Sequence, residues 1–474
     1  MQLTWTRRRF LRASSGTLTT AILAACGTSS VNPTATQGPT AAGAAPTAAT
    51  VAPQGSAAVA TKLPLAGAVK LNYLGVDSPG HAAALTKALA EYQKTYPNID
   101  IQFDTVPFAQ LFPKIQAATA AKTPVDIILI DGPNVTNFAY NNVTIPLDEY
   151  FDKDYVQKSF APSSLLTSSY NGKVYAPPMM ESTSVMWYNK TLTDKAGIKP
   201  PTDLAQSWTM DQALDAWKAV NNPPNVYGLR WGQAGSSWTW QDYEAGLFRR
   251  SAGTKESPAY KGIAPDGITV TGYFDHADAI TGHQFLQDIH QKYKVSPIEA
   301  IPNIWFEKKC VFYISPDNAL GTYKQLYPND DFEIGVTPIP YFKEGTQVCH
   351  TDSWHFGVGM YSTHKDEAAA FIKFLTGSVG ARIVYDSIRQ LPANLDVLNS
   401  LPDYQTLPLS LVAQQFKAVG IPRIITPGFT EFNSLSIEFY QNLIQGQGAN
   451  VKDLATTMAK RADGLMAKYK DWKR

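Results

Sequence analysis

From Val69 onward the apolar residues of this chain switch period repeatedly, and that alternation constrains its fold more than any other feature. Val69, Leu71 and Tyr73 fall on every second residue, as in a strand, and Leu85, Leu89, Tyr92 and Tyr96 follow at helical spacing. Ile99, Ile101 and Phe103 alternate again, and a helical stretch covers 111–121. Ile127-Ile128-Leu129-Ile130 is then the unbroken apolar run of a strand covered on both faces. A β-α-β-α-β order calls for a parallel sheet with helices on its faces, where ligands sit beyond the carboxyl ends of the strands. Three loops occupy that position, 75–81, 104–108 and 131–134, and they are rich in Asp, Ser, Gly and Asn.

The pattern continues to the end of the chain. Thr209-Met210-Asp211-Gln212 spells a capping box ahead of Leu214, Trp217 and Val220. Later helices carry Phe285, Leu286, Ile289 and Tyr293, then Phe371, Ile372, Phe374 and Leu375, and finally Leu454, Met458, Leu465 and Tyr469. Strand-like runs lie at 311–314 and 356–361. The 407 residues from Ala68 exceed what one hydrophobic core serves, so two lobes are expected.

The N-terminus states where such a globule works. Arg7, Arg8 and Arg9 precede Phe10 and Leu11, and a mostly apolar run ends at Leu23-Ala24-Ala25-Cys26. A charged start, a short apolar stretch and small residues before a cut site form a twin-arginine export signal over 1–25. A cysteine directly after Leu-Ala-Ala resembles a bacterial lipobox, which makes Cys26 the lipidated N-terminus of the mature protein. Residues 26–67 are mostly Ala, Thr, Pro, Gly and Ser with Lys62 as the only charge, a composition that cannot bury enough apolar surface to order itself. They read as a disordered linker between anchor and globule. Removing residues 1–25 takes away Arg7, Arg8, Arg9 and Arg12 and no acid, moving the formal charge from +1 to −3. That balance gives no electrostatic footprint for nucleic acid. Cys310 and Cys349 are the remaining cysteines, and their spacing leaves open whether they pair.

Enzyme signatures do not appear. The chain has no Gly-x-Ser-x-Gly elbow, no Walker loop and no Cys-x-x-Cys pair, and Gly446-Gln447-Gly448 lacks the third glycine of a dinucleotide site. His276, His283 and His290 are spaced by two helical turns, about 10.5 Å, too far to converge on one metal ion. His350 and Asp352 share a strand face from which His355 points away. No metal or cofactor is expected. Trp231, Trp238, Trp240 and Tyr243 crowd one region with Gln233, Gln241 and Asp242. Sugars offer C–H faces that stack on such rings and hydroxyls that need donors and acceptors. Any single one of these tryptophans is more often core, but the interleaved Gly232, Gly235, Ser236 and Ser237 favour a cleft loop for the cluster as a whole.

From Tyr170 the chain resembles a known family. Gly172-Lys173-x-Tyr175-x-x-Pro178, Tyr188-Asn189-Lys190, Ala196-Gly197-Ile198 and Pro200-Pro201 ahead of Trp208-Thr209 are similar to the sugar-type extracellular solute-binding proteins (family 1) of ABC importers. TPVDIILID at 123–131, DFEIGVTPIP at 331–340 and KDEAAAFIKFLTG at 365–377 resemble further blocks of that family, in the same order. The likeness spans about Val69 to Tyr469. It implies a two-lobed α/β periplasmic-binding-protein-like fold with an interlobe ligand cleft and three hinge crossovers, expected near 176–179, 314–317 and 361–364. The lobes would hold 68–178 plus 316–362, and 179–315 plus 363–474. Ligand would favour a closed arrangement of lobes that separate without it.

Three departures from the family bear on the ligand. Lys308-Lys309-Cys310-Val311-Phe312 and Ser315-Pro316-Asp317 replace its usual segments at the second crossover, removing an aromatic platform. His350, Thr351, Asp352, Ser353 and Trp354 stand where paired glycines are common, and Ile388-Arg389-Gln390-Leu391-Pro392 brings a charge toward the cleft. The expected ligand-binding residues are Asp77, Asp131, Glu181, Ser182, Trp238, Trp240, Asp317, Trp354 and Arg389. The resemblance implies a monomer that is no enzyme, binds a mono- or oligosaccharide, docks on permease subunits and is held at the membrane by lipid on Cys26. A polyol, sugar phosphate or other polar metabolite is the alternative ligand, kept open by Arg389. A secreted glycoside hydrolase is the remote alternative, since Asp131, Glu181 and Asp317 are available but nothing pairs them at the roughly 5–10 Å that hydrolysis needs.

Overall fold

The computed structural model describes residues 67–231, 243–316, 333–351 and 354–473. Its strands are β1 (Val69–Val76), β2 (Ile99–Val106), β3 (Ile127–Asp131), β4 (Ser169–Tyr170), β5 (Lys173–Val174), β6 (Ser184–Asn189), β7 (Tyr227–Arg230), β8 (Cys310–Pro316), β9 (Ile334–Thr337), β10 (Cys349–Thr351), β11 (Trp354–Val358) and β12 (Gly420–Pro422).

The first lobe is built on the sheet β11-β3-β1-β2. β1 runs parallel to β2 and β3, in the order the period changes indicate, and β11 joins the edge of β3 antiparallel. Ile127 to Ile130 are buried throughout, as an unbroken apolar run requires. Helices Pro79–Tyr92 and Phe108–Ala120 lay Leu85, Leu89 and Tyr92, and Leu111 and Ile115, against the sheet.

The second lobe is built on the sheet β7-β8-β6-β9. Successive side chains of a strand point to opposite faces, and β6 illustrates the consequence: Met186 and Tyr188 enter one core while Val185 and Trp187 enter another. Both faces are thus covered. The capping box forms, with Thr209 N–H donating to Gln212 Oε1 at 2.8 Å and Gln212 N–H to Thr209 Oγ1 at 3.3 Å. It starts the helix Met210–Ala219, which seats Trp217 fully buried. Gly228 on β7 permits that approach, because a Cβ there would lie 2.1 Å from the Trp217 carbonyl oxygen.

The lobe boundaries differ from those expected. β9 pairs with β6, so residues 334–337 belong to the second lobe rather than the first. Helices Lys365–Thr376 and Ser378–Ile388 send Phe371, Ile372, Leu375 and Val384 into the first-lobe core, so this stretch belongs to the first lobe rather than the second. The crossovers move accordingly. The first runs through Met180–Thr183; β10 belongs to the second lobe and β11 to the first, so the chain stays in the second lobe past 314–317, and the third lies near Leu391–Pro392 instead of at 361–364. These passages lie side by side: Met179 N–H donates to Trp354 O and Glu181 N–H to Leu391 O, both at 2.8 Å, and Thr183 bridges to Thr351.

Both thiols are buried, Cys310 in the core that holds Trp187 and Cys349 in the core on the other face of the sheet. Cys349 Sγ receives the Thr183 hydroxyl at 3.0 Å.

Candidate functional site

The carboxyl edge of the first sheet supplies one wall. β1 ends beside Asp77, whose N–H donates to Val106 O while its side chain is exposed. Trp354 opens β11 directly opposite Asp131, the last residue of β3. Its indole stands edge-on to His81 and to Phe108, with ring centroids 5.7 and 5.9 Å away. His81 sits in the first turn of the helix Pro79–Tyr92, and burial lowers its pKa to about 4, so the ring is neutral. An aromatic surface therefore lies beside a carboxylate.

The first crossover leads to the other wall. Glu181 is fully buried, and Ser182 Oγ lies 2.8 Å from the Tyr243 hydroxyl. The Tyr243 ring rests 5.4 Å from the Arg423 guanidinium, and Arg423 Nη2 donates to Asp131 Oδ1 of the first wall. His350 Nδ1 hydrogen bonds to the Tyr243 carbonyl, leaving Nε2 to accept from Arg250 Nη1 at 3.4 Å. Burial and the neighbouring Arg250 hold its pKa well below the ordinary value, which matches that neutral tautomer. Arg250 is fixed in turn by the carbonyls of Tyr260 and Pro422, at 2.7 and 2.6 Å. Glu244, next to Tyr243, is buried, and desolvation raises its pKa to about 8 against the opposing pull of Arg230. These groups can donate to and accept from hydroxyls from both sides. Among the described residues no three metal-ligating side chains converge.

Of the residues expected to bind ligand, Asp131 and Trp354 are register partners, Asp77 lies at the same sheet edge, and Glu181 and Ser182 lie on the adjoining crossover. Arg389 lies next to the third crossover. It caps the helix Ser378–Ile388 in a left-handed conformation, its side chain more than half exposed, and its guanidinium pairs with Asp403 at 3.3 Å beside the ring of Tyr385. Asp403 and Tyr385 are its partners among the described residues. Trp238, Trp240, Asp317 and Cys26 lie outside the described residues. Trp231, the one tryptophan of its cluster among the described residues, is fully buried core against Phe248. His283 and His290 are likewise core, and His276 caps the helix Ala277–Gln291. Arg423, Arg250 and His81 were not singled out. The signal for Arg423 was a lone cation within Ile421-Pro422-Arg423-Ile424-Ile425, where a buried guanidinium needs a partner. A separate groove of about 370 Å³ opens between Tyr92, Tyr96 and Phe374 on the first lobe, with no crossover residue in its lining.

The model of the bacterial extracellular solute-binding protein family matches residues 77–382. A binding protein of Brucella abortus is 25% identical over 437 residues, covering 84% of this chain and 97% of that one. The arabinooligosaccharide-binding protein of Bacillus subtilis is 29% identical over 320 residues, covering 63% of this chain and 67% of its own length. The maltose-bound MalE3 of T. maritima superposes with a TM-score of 0.69 at 20% identity, over 84% of this chain and all of that one. The structural likeness establishes the two-lobed solute-binding fold.

Proposed function

We propose that this chain, which belongs to the bacterial extracellular solute-binding proteins, captures a carbohydrate between its lobes and delivers it to the permease of an ABC importer. Its family works outside the cytoplasm. The observation that carries the carbohydrate reading is the meeting of two complementary walls: Trp354 beside Asp131 on the first lobe, and Ser182 hydrogen bonded to Tyr243 where the chain enters the second. An indole offers a face for sugar C–H groups, and hydroxyls and carboxylates satisfy sugar hydroxyls. Asp77, Asp131, Glu181, Ser182, Tyr243 and Trp354 form the solute-contacting set, joined by Trp238, Trp240 and Asp317. Cys26 carries the lipid that keeps the monomeric protein at the membrane, with 26–67 as its tether. Relatives that bind arabino-oligosaccharides and maltose support the ligand class.

A thermal-shift screen tests this reading, because a ligand that binds the native state alone raises the melting temperature by mass action. Maltose, maltotriose, arabinotriose and mannotriose are screened beside sorbitol and glucose 6-phosphate. A rise with a neutral saccharide supports the proposal; a rise with the polyol or phosphate alone replaces the ligand class.

A further inference from the structure

We propose that Arg423 is the positioning residue of this site, and that its ion pair with Asp131 is a latch between the lobes. The inference rests on reading the cleft as the solute site. Asp131 ends β3 in the first sheet. Arg423 follows β12, which is fixed to the second lobe by its pairing with β10 and by Ile421 and Ile424 in that core. The pair therefore joins two bodies that the chain connects only through the crossovers. Both side chains are shielded, at 4% exposure for Arg423 and 14% for Asp131. A pair so placed is screened little by salt.

The same guanidinium lies against the rings of Tyr243 and Phe429, at 5.4 and 5.8 Å. Tyr243 holds Ser182 through its hydroxyl and His350 through its carbonyl. Withdrawing Asp131 therefore disturbs the support of the second wall as well as opening the gap. Other contacts between the lobes have a different character. Asn137 Nδ2 donates to Pro427 O, Tyr140 stands edge-on to Tyr469 at 5.5 Å, and Tyr170 stacks on Trp472 at 6.3 Å. Neutral and aromatic contacts, and the exposed pair of Arg389 with Asp403 across the third crossover, tolerate sliding, whereas a buried ion pair is either made or broken. Arg423 thus ties lobe separation to the shape of the solute face.

The test uses the full chain with Cys26→Ser and spin labels at Ala90→Cys and Lys452→Cys, two exposed positions in different lobes. Label distances are measured by pulsed electron paramagnetic resonance without sugar, and affinity for maltotriose and arabinotriose by calorimetry. Asp131→Asn and Arg423→Met should each shift the distances outward. Arg423→Met, which leaves the solute-contacting residues in place, should also weaken binding about tenfold, because apparent affinity falls with the fraction of competent protein. The double variant should lose no more of the closed arrangement than the worse single one, since both break the same ion pair. Thr209→Ala, which destabilises a helix without touching the pair, should leave the distances unchanged. Unaltered distances in both single variants, or additive losses, overturn the latch. Shifted distances in a protein that binds neither sugar uphold the latch and count against the carbohydrate reading instead.

Discussion

Trp354 and Asp131 face one another across the β11–β3 pair, so an indole and a carboxylate are presented side by side at the end of the first sheet. Their spacing is set by backbone pairing rather than by a loop, which makes the wall rigid before solute arrives. Trp354→Ala should weaken sugar binding by on the order of 2 kcal/mol, as expected for a central aromatic anchor. Calorimetry reads the loss. Circular dichroism should show the fold intact, because the indole is half-buried and packs mainly on His81 and Phe108.

Glu244 gives the protein a stability that depends on pH. Burial raises its folded-state pKa to about 8 from an ordinary value of 4.5. Between those values the folded state holds a proton that the unfolded state has released, so stability falls as pH rises from about 4.5 to 8 and the loss levels off above 8. Glu244→Gln stays neutral at every pH and should remove this slope. Its stability relative to wild type should be near zero at pH 4.5 and grow to a few kcal/mol by pH 8, each pKa unit being worth about 1.4 kcal/mol. Urea denaturation at both pH values measures it; an advantage that does not grow with pH contradicts the assignment.

The helix carrying Trp217 depends on its first turn. Thr209→Ala removes one of the two reciprocal hydrogen bonds of the capping box and should cost about 1 kcal/mol. The urea midpoint should fall with an unchanged slope, and sugar affinity should stay as in wild type.

Much of this organisation was legible because its causes are local. Period-two and period-3.6 patterning gave β1 to β3 and their helices, and Thr209 with Gln212 gave a helix start to the residue. Sheet membership was less legible. Ile334–Thr337 is marked only as part of a block resembling the family, and its pairing with β6 is a long-range choice that no local pattern encodes. Helix 365–376 likewise shows an apolar face without saying which lobe covers it. For the site, Asp77, Asp131 and Trp354 followed from strand ends. Arg423 escaped because its role depends on a carboxylate 292 residues earlier in the chain.

The anchor is tested in cells. Cys26→Ala should move the protein from the membrane fraction into the soluble fraction, with sugar affinity unchanged because the linker separates Cys26 from the globule. Retention of the variant in membranes would exclude lipid at this residue.

The central claim is that solute is enclosed by both lobes, and a crystal structure with the tightest-binding saccharide tests it most directly. The account expects the sugar within contact distance of Asp131 or Trp354 from the first lobe and of Ser182 or Tyr243 on the other wall. A sugar touching one lobe alone, or seated in the outer groove by Tyr92 and Phe374, would contradict it.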